Sequence, residues 1–168
     1  MLSPTRQIGA ARWHPRAQIW QSGRNVRQGV IRVQLHATTV AIGGRGLVIL
    51  GPSGAGKSTL ALELMATGAA LVADDRTDLA RRGDALWAEV PAALSGRIEA
   101  RGIGILRAVP AGPVPVAFAC DLGAPAAARL PHADAIEWLG VSVSLVSGPW
   151  RPHLHAALRQ LMLGGRAI

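Results

Sequence analysis

One stretch of this sequence, Gly51–Thr59, has the spacing of a phosphate-binding loop. Its residues GPSGAGKST fit the pattern G-x-x-x-x-G-K-[ST]. Glycines in such a loop let the backbone curl so that successive N–H groups point inward and bind an anion. The lysine then reaches the β- and γ-phosphates of a nucleotide, and the following hydroxyl binds Mg²⁺. The predicted nucleotide-binding residues are Gly51, Pro52, Ser53, Gly54, Ala55, Gly56, Lys57, Ser58 and Thr59.

The chain contains one lysine, Lys57, among 18 basic residues, and all the others are arginine. The lysine ammonium is a compact point charge, whereas the guanidinium of arginine is a planar fork. A lysine that occurs only where a phosphate-binding loop requires it favours function over a chance match to the pattern.

Two carboxylates, Asp74 and Asp75, follow the next apolar segment and form a second candidate site. Enzymes with this type of loop need an acidic residue for Mg²⁺ and a group that orients or activates the nucleophile. Adjacent residues at a strand end face opposite ways, so one carboxylate can face the metal and the other the substrate. The alternative is a turn or a helix cap, because Asp favours both. Behind a phosphate-binding loop, we interpret the pair as functional.

A third segment, Glu99–Ile105, places a carboxylate and the guanidinium of Arg101 beside two glycines. Glutamate can bind a metal and arginine can neutralise phosphate charge. Taken alone, this pattern also fits an ordinary surface Glu–Arg pair. His36 lies on an apolar segment, where a single histidine is more often a core residue than a catalytic one.

The elements that must position these residues alternate along the chain. Short strands are predicted on either side of His36, and Gly46–Leu50 is an apolar run typical of a buried strand. A helix is predicted over Ser58–Thr67 with Gly68 as its C-terminal stop. This order predicts an α/β fold of the P-loop class with a mixed central sheet. The further predicted elements are a strand over Ala70–Ala73, a hairpin over Asp78–Val90, strands over Val114–Cys120 and Val141–Val146, and an amphipathic helix over Pro152–Leu163.

The net charge of +8 comes mainly from one end of the chain. Residues 1–32 contain six arginines and no acid, whereas the remainder is close to balanced, with 12 basic and 10 acidic residues. We predict that residues 1–29 form a basic, disordered tail and that residues 30–168 form one catalytic domain. Binding of nucleic acid by the tail is the alternative, but no nucleic-acid-binding motif accompanies it.

The cysteine content and the hydropathy of the sequence indicate in which cellular compartment the protein is expected. The single cysteine, Cys120, excludes an internal disulfide framework and fits a reducing cytoplasm. No apolar stretch reaches the roughly 18 residues that a membrane span needs, and the N-terminal residues lack the apolar core of a secretory signal. We therefore expect a cytoplasmic protein with neither nucleic acid nor membrane as a partner.

Four motifs in order resemble the catalytic domain of bacterial HPr kinase/phosphorylase. They are Leu35-His-Ala37, the loop Gly51–Ser58, Leu71-Val-Ala-Asp-Asp75, and Ile98-Glu-Ala-Arg-Gly-Ile-Gly-Ile105. The resemblance covers about residues 30–163 and is strongest over residues 35–105. It implies an ATP- and Mg²⁺-dependent kinase that phosphorylates the carrier protein HPr on serine, also removes the phosphate by phosphorolysis, and assembles as a homo-hexamer.

The resemblance also implies a role for each matched residue. Asp75 would be the base that accepts the serine proton, and the acid in the reverse reaction. His36 would assist it and Lys57 would hold phosphate. Mg²⁺ would be held by Ser58 and Glu99, with Asp74 as a further acidic anchor. The remaining implied residues are the signature loop Arg101, Gly102, Ile103 and Gly104, a catalytic arginine at Arg129, and a dephosphorylation motif that includes Arg151 and Pro152.

Some positions depart from the family pattern. Thr59 stands where many members have an acid, and His153-Leu154 replaces the Gly-Arg that closes the dephosphorylation motif. We therefore predict that kinase activity exceeds phosphorolysis. The family's large N-terminal domain has no counterpart in this sequence, which predicts a compact member limited to the catalytic domain.

Two other functions remain open from the residues. A P-loop kinase of small molecules would explain the loop but not Glu99–Ile105 or His36, and a non-catalytic nucleotide-binding sensor would need no base at Asp75. A GTPase would need a second lysine in its guanine-recognition motif, and the chain has none. An ABC-type ATPase would need a signature from which Leu94–Arg97 diverges.

Overall fold

The structure is a computed structural model that describes residues 31–125, 129 and 133–167. Within these residues the chain forms eleven β-strands and two α-helices. The strands are β1 (Arg32–Leu35), β2 (Thr38–Ile42), β3 (Arg45–Leu50), β4 (Ala70–Ala73), β5 (Thr77–Arg82), β6 (Ala85–Glu89), β7 (Arg97–Ala100), β8 (Gly104–Arg107), β9 (Val114–Asp121), β10 (Asp134–Trp138) and β11 (Val141–Ser147); the helices are α1 (Lys57–Ala66) and α2 (Leu154–Gly164).

Nine of these strands form one mixed sheet. Its path runs β1-β5-β6-β9-β3-β2-β4, and β11 pairs with β9 and carries β10 on its other side. The pairs β3–β9 and β9–β11 are parallel, whereas β2 is antiparallel to both β3 and β4. The strands β7 and β8 form a separate antiparallel hairpin.

These strand directions bring the candidate residues to one edge of the sheet. Because β2 runs opposite to both β3 and β4, those two strands point the same way, and β9 and β11 run parallel to β3. The carboxyl ends of β4, β3, β9 and β11 therefore lie side by side. The register confirms this, since Leu50 pairs with Asp121, and Asp121 pairs with Ser147.

The two faces of the sheet bury separate apolar clusters. Along β3, Leu47 and Ile49 face the cluster that holds α1 and α2, whereas Val48 and Leu50 face the opposite cluster. This is the period of two expected of a strand that is buried on both sides. Rigid packing on both faces fixes the end of β3, and with it the loop that follows.

The helix α1 has defined ends. Gly56 precedes it with φ 95°, a left-handed conformation that favours glycine. At the other end, Gly68 N–H donates to Met65 O and Ala69 N–H donates to Leu64 O, both at 3.0 Å. This pair of bonds is the Schellman arrangement that closes a helix on a C-terminal glycine.

The α/β P-loop class and the mixed sheet predicted from the sequence are confirmed. The predicted hairpin is β5–β6, and each remaining predicted element is present with shifts of one or two residues at its ends. The hairpin β7–β8 and the strand β10 are additional. The predicted tail lies outside the described residues. None of the helices in the described residues is long and apolar enough to cross a membrane.

Candidate active site

The loop between β3 and α1 is shaped by close backbone contacts. A Cβ placed on Gly51 would lie 2.9 Å from the Cβ of Ala55 and 3.2 Å from that of Leu122, and its φ is 148°. A side chain at this position would therefore force the loop outward. Ala55 N–H donates to Pro52 O at 3.1 Å, which closes the turn. The loop predicted from the sequence is thus formed between a buried strand and a helix N-terminus, where anions bind.

The side chain of Lys57 is directed into this loop. Its Nζ donates to Gly51 O at 2.9 Å and to Pro52 O at 3.2 Å, and lies 3.3 Å from Nε2 of His36. The residue is 8% exposed. Burial lowers the pKa of the ammonium group, and the carboxylates of Asp75 and Asp74 partly offset this effect. A buried cation with two nearby carboxylates can receive phosphate charge without a large rearrangement.

Asp74 is a buried hydrogen-bond hub. Its Oδ1 accepts hydrogen bonds from Thr38 Oγ1 at 2.7 Å and from Ser58 Oγ at 2.9 Å. Its Oδ2 accepts one from the backbone N–H of Glu99 at 2.9 Å. One carboxylate therefore connects the start of β2, the start of α1 and the strand β7.

Asp75 has the opposite environment. Its side chain is 63% exposed, and its Oδ1 lies 3.0 Å from Nδ1 of His36. Arg76 N–H donates to Asp74 O at 2.7 Å across it, while Asp75 has φ 65°. A three-residue turn with positive φ at its centre is rare and strained, and such strain is concentrated at functional sites.

His36 bridges the cation and the exposed carboxylate. Its Nε2 lies 3.3 Å from Nζ of Lys57, and its Nδ1 lies 3.0 Å from Oδ1 of Asp75, so each ring nitrogen faces one of the two charged groups. The bend at His36 lies between β1 and β2 and presents its ring to the cavity. The structure thus places three sequence-predicted catalytic residues in one continuous series of polar contacts.

These groups line one cavity of about 170 Å³. Glu99 and Arg101, which belong to the segment of the hairpin β7–β8, also line it. Both are exposed, and the buried Ile98 anchors their strand to the cluster that holds α1. The lining residues are His36, Thr38, Ser53, Gly54, Gly56, Lys57, Ser58, Thr59, Asp74, Asp75, Glu99 and Arg101.

The donor set of the cavity fits Mg²⁺. The ion takes hard oxygen ligands, and it usually binds one or two carboxylates, several waters and substrate phosphates rather than a complete protein cage. The cavity offers the Ser58 hydroxyl with the carboxylates of Asp74 and Glu99. Among the described residues no cluster of three or more His, Cys, Asp or Glu side chains could hold a metal by itself. Phosphate oxygens would therefore complete the coordination.

Other sequence-predicted residues lie outside the cavity lining. Arg129 is exposed, and so are Gly102, Ile103 and Gly104 at the tip of the hairpin β7–β8. Arg151 and Pro152 follow β11 and are also exposed.

His153, which replaces the glycine of the dephosphorylation motif, has φ 67° and precedes α2. This conformation favours glycine, so the replacement is accommodated at the cost of backbone strain.

Thr38 is a site residue that sequence analysis missed. It is fully buried, and its hydroxyl donates to Asp74. The one sequence feature that pointed to a functional role for Thr38 was its position two residues after His36, at the start of the strand beside the loop. A threonine in an apolar strand is ordinary, however, and only the pairing of β2 with β4 brings it to Asp74.

The fold and this site are those of a P-loop domain with a cavity suited to phosphate. Comparison with known proteins shows which proteins the chain is similar to. Residues 29–110 match the family model of the HPr Serine kinase C-terminal domain. The chain is 45% identical to HPr kinase/phosphorylase of Cupriavidus necator and 46% identical to that of Lactiplantibacillus plantarum. Each alignment spans 76 residues, and these residues make up 45% of this chain.

A solved structure agrees with these matches. The HPr(Ser) kinase/phosphatase from Coxiella burnetii aligns with a TM-score of 0.69 and 26% identity, covering 77% of this chain and 88% of that chain. The resemblance drawn from the motifs is confirmed, since the family model, the curated relatives and the solved structure all carry the HPr kinase name. The match spans 24% of the length of the two curated relatives.

Proposed function

We propose that this chain transfers the γ-phosphoryl group of ATP to a serine hydroxyl of an HPr-type phosphocarrier protein. The carrying observation is that Lys57, His36 and Asp75 lie in successive polar contact, at 3.3 Å and 3.0 Å, along a single cavity. A small-molecule kinase and a nucleotide sensor would share the loop. The exposed, oriented carboxylate beside it favours a reaction with a bulky acceptor that approaches from solvent.

In the proposed reaction the serine oxygen attacks the γ-phosphorus while the bond to the β–γ bridging oxygen breaks. Asp75 accepts the serine proton, because a neutral hydroxyl is a poor nucleophile. His36 holds that carboxylate toward the cavity, and Lys57 binds the β- and γ-phosphate oxygens. Bound Mg²⁺, held through Ser58, Asp74 and Glu99, would neutralise phosphate charge.

The reverse reaction uses the same groups. A hydrogen phosphate ion attacks the phosphoserine phosphorus while the bond to the serine oxygen breaks. Protonated Asp75 gives its proton to the leaving serine oxygen and regains one from the attacking phosphate, so that serine and pyrophosphate are formed. We propose that this direction is the slower one, because His153-Leu154 replaces the Gly-Arg of the dephosphorylation motif. A cytoplasmic location and a homo-oligomer, hexameric as the family resemblance implies, belong to the same proposal.

The deciding experiment offers the purified chain ATP, Mg²⁺ and an HPr protein, and locates phosphoserine by mass spectrometry. The matched acceptor control is the same HPr with its target serine replaced by alanine. We expect Lys57→Ala to abolish ATP binding and transfer, because the phosphate charge loses its buried partner. A thermal melt checks that the variant folds.

The outcomes separate the candidate functions. Wild-type transfer by Lys57→Ala would reject the assignment of the loop. Phosphorylation of a metabolite but not of HPr would favour a small-molecule kinase, and ATP binding without any transfer would favour a sensor.

A further inference from the structure

The cavity is too small to hold a whole nucleotide. Its volume of about 170 Å³ is below the roughly 300–1,000 Å³ of pockets that enclose drug-sized ligands. Its lining consists of the phosphate-binding loop and of polar or charged side chains from the β2–β4 side and from the hairpin β7–β8. The phosphates therefore account for this space, and a purine base must lie outside it, against another surface.

The strand order indicates on which side of the loop the base lies. The side toward β2 and β4 carries His36, Asp74 and Asp75, the groups placed around the reacting phosphate. The opposite side carries β9 and β11, whose carboxyl ends lie beside that of β3. Ligands of such sheets bind in the crevice beyond these carboxyl ends. A nucleotide with its γ-phosphate at Asp75 thus extends its base toward β9 and β11.

Trp150 occupies that position. It follows β11 after Gly148 and Pro149, and packs against the loop: a Cβ on Gly56 would lie 3.4 Å from both Cβ and Cγ of Trp150. It is 38% exposed, and it is the one aromatic residue among the exposed large hydrophobic residues of the described chain.

The orientation of the indole ring is set by a carboxylate. Trp150 Nε1 donates to Glu63 Oε2 at 3.3 Å, and Nδ1 of His155 lies 3.5 Å from the same oxygen. Glu63 lies on α1 and His155 on α2, and both helices pack in the same apolar cluster. The ring is therefore hydrogen-bonded to α1, and a ligand that stacks on it loses little additional side-chain entropy.

We propose that the indole of Trp150 is the surface on which the purine base of the bound nucleotide stacks. The inference rests on the proposed nucleotide site and extends it to the base. Stacking on an aromatic ring is tolerant of base identity, because every base has a π face. The site would therefore take adenine and guanine nucleotides with similar affinity.

Calorimetry with two ligands tests this. ATP carries a base, whereas inorganic tripolyphosphate carries the phosphates alone. We expect Trp150→Ala to weaken ATP binding by about 10-fold, within the range of base–aromatic stacking, and to leave tripolyphosphate affinity within about twofold of wild type. Trp150→Phe should restore most of the ATP affinity, because it keeps an aromatic face.

The matched control is Trp87→Phe, at a tryptophan on β6 that packs against Arg82 rather than the loop. It should bind both ligands as the wild type does. Tryptophan fluorescence supplies a second readout. ADP should quench the fluorescence of the wild type more than that of Trp150→Phe, whereas tripolyphosphate should quench the two proteins equally.

Two results would overturn the stacking proposal alone. One is equal weakening of both ligands in Trp150→Ala, which would mean that the ring only supports the loop. The other is unchanged ATP affinity. If the wild type bound neither ligand, the proposed nucleotide site would be wrong, and the stacking surface with it.

Discussion

The two flanks of the strand β3 differ in how they present groups to the phosphate-binding loop. On the flank of β2 and β4, Asp74 accepts hydrogen bonds from two side chains and one backbone N–H of three elements, and a second set of polar contacts joins Lys57, His36 and Asp75. On the flank of β9 and β11, Trp150 packs on the loop, and backbone bonds tie the strand ends together, such as Leu122 N–H to Leu50 O at 2.9 Å.

The difference indicates that one edge of the sheet serves two functions, binding the reacting phosphate on one flank and the base on the other. A reacting phosphate needs charges held at defined positions, so the first flank uses side-chain networks that are costly to disturb. A base needs only a flat apolar surface, so the second flank offers an oriented aromatic ring. The four predictions below test this division.

The largest effect is expected at Asp75. Asp75→Asn keeps the size of the side chain, and asparagine tolerates the observed φ of 65°, so only basicity is lost. We expect the rate of HPr phosphorylation to fall by about 10²–10⁴-fold, the usual range for loss of a general base, with ATP affinity little changed. Calorimetry beside initial rates measures both. A variant with full activity would remove the base from the mechanism and favour a sensor.

Asp74→Asn should lower the free energy of unfolding as well as remove a proposed Mg²⁺ ligand. The amide nitrogen would face either two hydroxyl donors or the N–H of Glu99, so at least one buried donor loses its acceptor. We expect a loss of about 1–3 kcal/mol in the free energy of unfolding, measured by urea denaturation. Asp84→Asn is the matched control, because Asp84 is fully exposed. Equal stability of the two variants would contradict the role of Asp74 as a hub.

A smaller effect on rate is expected at His36. His36→Gln cannot bridge Lys57 and Asp75 with the rigid geometry of the imidazole, so two hydrogen bonds of about 1 kcal/mol each are weakened. We expect a fall of roughly 10-fold in the rate of transfer. His36→Gln in the Asp75→Asn background should add little, because a positioning residue has no effect once its carboxylate is absent. Additive losses would show an independent role.

The smallest effect concerns Cys120, on the flank of β9. Burial raises the pKa of its thiol to about 12 from the ordinary 9.0. The folded chain keeps this proton while the unfolded chain releases it, so stability is lost as the pH rises above 9. Lys57, whose pKa is lowered, contributes in the opposite direction below 10.5.

Comparison with Cys120→Ala isolates the thiol. Between pH 8 and pH 10 the wild type should lose about 1 kcal/mol more stability than the variant, as followed by urea denaturation at each pH. Native protein at pH 8 should also react with a thiol reagent far more slowly than unfolded protein. Parallel pH curves for the two proteins would refute the assignment.

Sequence reasoning reached the parts of this fold whose signals are local. The strand–loop–helix unit around Lys57 combines an apolar run, glycines and a helix-stop glycine in adjacent positions. The hairpin β7–β8 was missed, because its glycines and charged residues obscure the alternation of buried Ile98 and Ala100 with exposed Glu99. The strand β10 was missed because its alternation of buried Ile136 and Trp138 with exposed Glu137 extends over only three residues.

By itself, the sequence determined which residue types meet phosphate and which motifs accompany them, since loop pattern, lysine and paired carboxylates are fixed by spacing along the chain. Only the tertiary structure decided which of two residues adjacent in sequence is buried and which is exposed. Asp74 is buried and Asp75 exposed because three elements distant in sequence supply donors to one and none of them reaches the other. The position of Trp150 beside Gly56 likewise depends on the parallel pairing of β11 with β9 and β9 with β3, a non-local contact that no spacing encodes.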